Sequence, residues 1–180
     1  MPELSRRVQT FTDSVIRRMT RINDMTPGSI NLSQGFPDFD PPQEILDALK
    51  EAAEHGPHQY SITFGAKNFR DALAEMYTKK FAREIDPEKE IVVTCGGTEA
   101  MMAAMMTVCN PGDKVAVFSP FYENYGADAI LSGADPIYIP LVPPDFHYDS
   151  EALGRAFQAG AKALILCNPS NPCGKVLSRR

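Results

Sequence analysis

The chain has 180 residues, enough to bury one sizeable core, and a net charge of -5 from 18 basic and 23 acidic residues spread along its length. That balance leaves no basic stripe for nucleic acid and no polybasic membrane anchor, and no apolar run reaches the length of a bilayer-spanning helix. The N-terminus carries Arg6, Arg7, Arg17 and Arg18 without the apolar stretch of a secretory leader, so the expected setting is the cytoplasm and the expected partner a small soluble substrate. Cys95, Cys109, Cys167 and Cys173 form no CxxC pair and His55, His58 and His147 have no metal-ligand spacing, so no metal site is expected. Cys95 and Cys167 each close an apolar run, where a thiol serves as a small hydrophobe.

In chain order, Leu4, Val8, Phe11, Val15, Met19 and Ile22 recur at spacings of three and four, predicting one amphipathic helix that ends at Asn23-Asp24 before Pro27-Gly28. Residues 30–42 hold three prolines and Gly35 and read as a fixed irregular loop. Gly35 there either permits a turn or lets its backbone N–H come close to a ligand. Pro41-Pro42 opens a helix with Ile45, Leu46, Leu49 and Ala53 on one face, ending near Gly56-Pro57. A loop from His58 to Gly65 leads into a helix patterned by Phe69, Leu73, Met76, Tyr77 and Phe81.

From Ile91 the pattern alternates strand and helix. Ile91-Val92-Val93-Thr94 predicts a strand, Cys95-Gly96-Gly97-Thr98 a tight turn, and the Met-rich run after it a helix. Two glycines remove the Cβ atoms that keep an anion off the backbone, and a helix start offers unpaired N–H groups and the positive end of its dipole. The turn is thus either a phosphate seat or a plain strand-to-helix connection. Further strands are predicted at Lys114–Phe118, Ile137–Ile139 and Ala163–Cys167, with helices at about Tyr122–Leu131 and from an Asp149 or Ser150 cap to Ala159. Such an alternation predicts an α/β fold, a mostly parallel sheet with helices on both faces and ligands at the carboxyl ends of its strands. The strand ending at Cys167 reads as central although the chain stops soon after it, so a longer protein is expected.

Three carboxyl-end turns stand out: Gly96-Gly97-Thr98, Pro120 to Tyr125, and Asn168-Pro169-Ser170-Asn171-Pro172-Cys173-Gly174. In the last, prolines on either side restrict the backbone around Asn171 and aim one amide. With these residues the sequence resembles the class I and II aminotransferases, fold type I enzymes that use pyridoxal 5'-phosphate. Asn168 to Gly174 is similar to the family's Asn-Pro-x-Asn-Pro-Thr-Gly, Val93 to Ala100 to its Val-Thr-x-Gly-Ala-Thr-Glu-Ala, and Asn31 to Pro42 to its substrate loop.

The resemblance implies a truncated large domain of that fold. Residues 1–40 would form an N-terminal helical arm and small-domain segment, and 41–180 the first part of the cofactor-binding domain. It implies that Gly97 and Thr98 hold the cofactor phosphate, that Tyr122 stacks on its pyridine ring, and that Asn171 donates to its phenolate oxygen and borders the substrate. Gly35 would approach the substrate carboxylate, and Tyr60 would reach the phosphate of a neighbouring subunit, making the protein a homodimer; the alternative for Tyr60 alone is a half-buried loop tyrosine. Two departures are Cys173 where the family usually has threonine and Gly97 where alanine is common. None of Lys50, Lys67, Lys79, Lys80, Lys89, Lys114, Lys162 or Lys175 lies in the family's Schiff-base lysine motif, so no catalytic residue is assigned within the chain and the 180 residues alone are expected to be inactive. The implied reaction moves an amino group from an amino acid to a 2-oxo acid. A C–S β-lyase of the same fold and a non-catalytic truncated module are the alternatives.

Overall fold

A computed structural model of the chain describes residues 3–10 and 13–178. The chain divides into two compact units, Met1–Val15 with Cys95–Arg180, and Ile16–Thr94.

The first unit is built on a four-stranded sheet. Its strands are β1 (Lys114–Ser119), β2 (Asp135–Val142), β3 (His147–Tyr148) and β4 (Ala161–Ile165), in the spatial order β3-β2-β1-β4. β1 pairs in parallel with β2 and β4, while the short β3 turns back antiparallel on β2. Side chains alternate across a strand, yet Val115, Ala116, Val117 and Phe118 are all buried, so β1 is covered on both sides. Val115 and Val117 pack with Met105, Cys109, Ala129, Ala134 and Ile165; Ala116 and Phe118 pack with Ile139, Leu141 and Ala156. The helices supplying these layers are α4 (Gly96–Val108) and α5 (Asn124–Ser132) on one face and α6 (Ser150–Gln158) on the other. Asp149 caps α6 by accepting from the Glu151 N–H at 2.9 Å.

The second unit holds α1 (Val15–Asp24, from Ile16 onward), α2 (Gln43–His55) and α3 (Lys67–Phe81). α2 starts after Pro42 and ends at Gly56, whose φ of +73° and close approach to the His58 ring admit no side chain.

Two sequence expectations change. The single N-terminal helix is replaced by a 3-10 turn at Arg6–Gln9 and a separate α1. The Thr10 hydroxyl donates to the Arg7 carbonyl at 2.8 Å, taking the acceptor that the next turn of an α-helix would use. Leu4, Val8, Val15, Met19 and Ile22 of the expected packing stripe are exposed, and Phe11 lies outside the described residues. Ile91–Thr94 forms no strand: a strand needs a ladder partner, and the Val93 N–H instead donates to the carbonyl of Phe64, a loop residue, at 3.0 Å. Cys95, expected as a small core hydrophobe, is accordingly exposed.

Candidate functional site

Parallel neighbours present their carboxyl ends on the same side of a sheet, so the turns after β1 and β4 lie next to each other. The first holds Tyr122 and the second Asn171. The glycine turn joins them through a side-chain bond: Asn124 Nδ2, at the start of α5, donates to Thr98 Oγ1 at 2.8 Å.

Gly96 opens α4 at φ +83°, a conformation that favours glycine, and Cys95 before it makes no side-chain cap. Nothing lies within 4 Å of where a Cβ would stand at Gly96 or Gly97. The Glu99 carboxylate accepts from the Cys95 N–H, leaving the N–H groups of Gly97 and Thr98 for a ligand at the positive end of the helix. Thr98 Oγ1 accepts from Asn124, and its hydroxyl retains one proton to donate. This donor set suits an anion.

In the turn after β1, the half-buried Tyr122 ring meets Tyr125 edge-on, with centroids 5.7 Å apart and an 80° interplanar angle. Phe121 stacks on Tyr138 of β2 at 5.1 Å and 2°, anchoring the turn to the sheet. A hydrogen bond to Cys167 and partial burial push the Tyr125 hydroxyl up to about 12. Tyr125 and Cys167 line the same narrow cleft, which brings the turn after β1 to the segment after β4.

The loop after β4 is closed on itself. Ser170 N–H donates to the Lys175 carbonyl and Gly174 N–H to the Ser170 carbonyl, both at 2.8 Å, while Asn168 Oδ1 accepts from the Leu177 N–H at 2.9 Å. Cys173 Sγ and Ser170 Oγ are hydrogen-bonded at 3.2 Å, and the bond that the hydroxyl can give the thiolate draws the Cys173 thiol below its ordinary range. Asn171 sits at the tip, exposed, bordering a narrow cleft with Pro120, Phe121, Tyr125 and Cys167. Among the described residues its amide has no hydrogen-bond partner, so it is available to a ligand.

Gly97 and Thr98, Tyr122, and Asn171 thus lie on three neighbouring turns, the first two joined by the Asn124–Thr98 bond and the last two by a shared cleft, and together they present backbone N–H groups, an aromatic face and an amide. Sequence reasoning passed over Asn124, Tyr125 and Cys167, which link them; an Asn opening a helix and a Tyr three residues after another are weak signals by themselves. In the second unit, Tyr60 is fully exposed without a partner among the described residues. Gly35 is also exposed, with open space around it, in a loop shaped by Asn31 Oδ1 accepting from the Ser33 N–H at 2.9 Å.

The sequence profile of the family described as "Aminotransferase class I and II" matches residues 27–180. The chain is 37% identical over 174 residues to a probable N-succinyldiaminopimelate aminotransferase, DapC, of Mycobacterium tuberculosis, covering 96% of this chain and 44% of that protein. Against kynurenine–oxoglutarate transaminase 3 of Mus musculus it is 33% identical over 187 residues, covering 98% and 41%. Among solved structures it is similar to the N-succinyldiaminopimelate aminotransferase of M. tuberculosis (TM-score 0.88, 36% identity, 98% of this chain and 46% of that one). It is also similar to YbdL of Escherichia coli, described as having a methionine aminotransferase function (TM-score 0.90, 29% identity, 99% and 47%). The chain therefore spans less than half the length of the curated relatives it matches. Among the described residues no helix is long and apolar enough to cross a membrane.

Proposed function

The chain belongs to the class I and II aminotransferases, and on that premise we propose that it forms the first part of a cytoplasmic, homodimeric, pyridoxal 5'-phosphate-dependent enzyme that moves an amino group from an amino acid to a 2-oxo acid. The observation that carries the reading is the Asn124–Thr98 bond, which couples the glycine turn to the aromatic turn beside Asn171.

The cofactor, when bound, supplies an electron sink that makes the substrate's α-proton labile. The chain's own residues bind and orient. Gly97 and Thr98 donate to the phosphate through backbone N–H groups and the Thr98 hydroxyl. Tyr122 covers one face of the pyridine ring and keeps water from it. Asn171 donates its amide to the phenolate oxygen, favouring the charged form of that oxygen, and borders the substrate. Gly35 brings its N–H to the substrate carboxylate, and Tyr60 reaches the phosphate held by the partner subunit. No side chain of this chain is assigned the proton transfer, which belongs to the family's lysine. In the longer protein, residues 1–40 serve as arm and small-domain segment and 41–180 as the start of the cofactor-binding domain.

The test is product analysis on the full-length protein with pyridoxal 5'-phosphate, an amino acid donor and a 2-oxo acid. Stoichiometric formation of the donor's keto acid and the acceptor's amino acid is expected. Release of pyruvate and ammonia from a sulfur amino acid, without amino transfer, would overturn the assignment in favour of a lyase. Failure to bind the cofactor at all would leave a non-catalytic module.

A further inference from the structure

Arg70 is the largest fully buried side chain of the chain's described residues, 1% exposed in the first turn of α3. A buried guanidinium persists only where its donors are met. Here Nε donates to the Gly65 carbonyl at 3.1 Å, Nη1 to the Pro87 carbonyl at 2.6 Å, and Nη2 to Glu88 Oε1 at 3.0 Å. The three acceptors lie on two different segments. Gly65 ends the loop that carries Tyr60; Pro87 and Glu88 belong to the turn that precedes the extended run Ile91–Thr94.

The two segments are also docked on each other. Val93 N–H donates to the Phe64 carbonyl at 3.0 Å, and Gly65, at φ +103°, lies so close to Val93 that an added Cβ would stand 2.6 Å from its side chain. The turn itself is closed by Gly65 N–H donating to the Ile62 carbonyl at 2.9 Å, two residues from Tyr60. Tyr60 makes no bond of its own among the described residues and projects fully into solvent. Its placement is therefore inherited from the backbone of residues 60–65, and that backbone hangs on Arg70.

We propose that Arg70 is a positioning residue for Tyr60: its forked guanidinium clamps the base of the 58–65 loop and holds the tyrosine at the geometry with which it meets a phosphate. The inference rests on the reading of Tyr60 as a phosphate ligand of the partner subunit. A lysine, with one ammonium in place of a fixed fork, cannot hold the Gly65 and Pro87 carbonyls and the Glu88 carboxylate together.

The test compares parent, Arg70→Lys, Tyr60→Phe and the double variant of the full-length protein, reading backbone amide exchange of residues 60–65 in the cofactor-free protein and the dissociation constant for pyridoxal 5'-phosphate. Arg70→Lys is expected to speed exchange in the loop, which Tyr60→Phe leaves unchanged, and to weaken the cofactor on the order of tenfold, as Tyr60→Phe does. In the Tyr60→Phe background, Arg70→Lys adds little, because the residue through which it acts is already disabled. Equal losses in both backgrounds, or unchanged exchange, overturn the clamp while leaving the Tyr60 assignment intact. A Tyr60→Phe protein that binds the cofactor as tightly as the parent overturns both. Should Arg70→Lys fail to fold, Glu88→Gln removes the charged acceptor alone and must move both readouts in the same direction by a smaller factor, or the clamp is refuted.

Discussion

Replacing Thr98 with valine isolates one donor of the anion seat. Valine keeps the β-branch and nearly the volume of threonine, so the start of α4 is undisturbed, and only the hydroxyl is lost. Two consequences follow from its geometry. The bond from Asn124 at 2.8 Å disappears, but it is exposed and Asn124 can turn to water, so the fold loses about 0.5–1 kcal/mol at most. On the reading that Thr98 holds the cofactor phosphate, the hydroxyl's own donation to a phosphate oxygen is lost as well. A hydrogen bond to a charged group contributes about 1.5–3 kcal/mol, which predicts roughly a ten- to hundredfold rise in the dissociation constant. The assay is titration of the cofactor-free full-length protein with pyridoxal 5'-phosphate and, in parallel, with pyridoxal. The loss is expected for the phosphorylated ligand alone, and Thr98→Ser should restore most of it. Equal weakening for both ligands, or no weakening for either, would refute the placement of an anion at this turn.

The adjacent glycines should respond oppositely to alanine. Gly97→Ala meets open space inside a helix and is expected to be neutral or to stabilise by about 0.5–1 kcal/mol, whereas Gly96→Ala must adopt φ +83° and should destabilise by about 1 kcal/mol or more; thermal melting separates them, and like signs would contradict the geometry. Asp128 on α5 is 3% exposed, and its Oδ2 has no partner among the described residues, so burial raises its pKa. Because the folded-state pKa lies above the unfolded value, this group's contribution to stability is intact below the ordinary carboxyl range and is lost as pH rises through the folded pKa. Asp128→Asn should therefore stabilise at neutral pH, by about 1–3 kcal/mol, with the gain vanishing in acid; urea midpoints at the two pH values measure it, and a gain that persists unchanged in acid would show another cause.

Legibility followed how local each signal was. α2 and α6 could be read with nearly correct ends because Pro42, Gly56 and the Asp149 cap punctuate them within a few residues of chain. β1 was visible as an apolar run because it is buried on both faces. The run Ile91–Thr94 looks the same in sequence, yet strand formation depends on a neighbour that no local pattern encodes. β3, with two residues, is too short to leave a periodicity, and the break at Thr10 turns on one side-chain bond. Within the candidate site, the glycine turn and the Asn-Pro repeats announce themselves through backbone constraints. Tyr125, Cys167 and Arg70 do not: a tyrosine, a cysteine and an arginine inside amphipathic patterns read as filler or surface, and their roles arise from partners 42, 42 and up to 18 residues away.

Strand β4 stands at the end of the spatial order, bonded to β1 along one side, so its opposite flank offers amide and carbonyl groups with no ladder to join among the described residues. Such a flank is a template for self-association. Lys162, tethered to Asp113 at 2.8 Å, is the one charge this strand brings against it. Anyone preparing these 180 residues as a separate polypeptide should meet fibre-like clumping first at Ala161–Ile165.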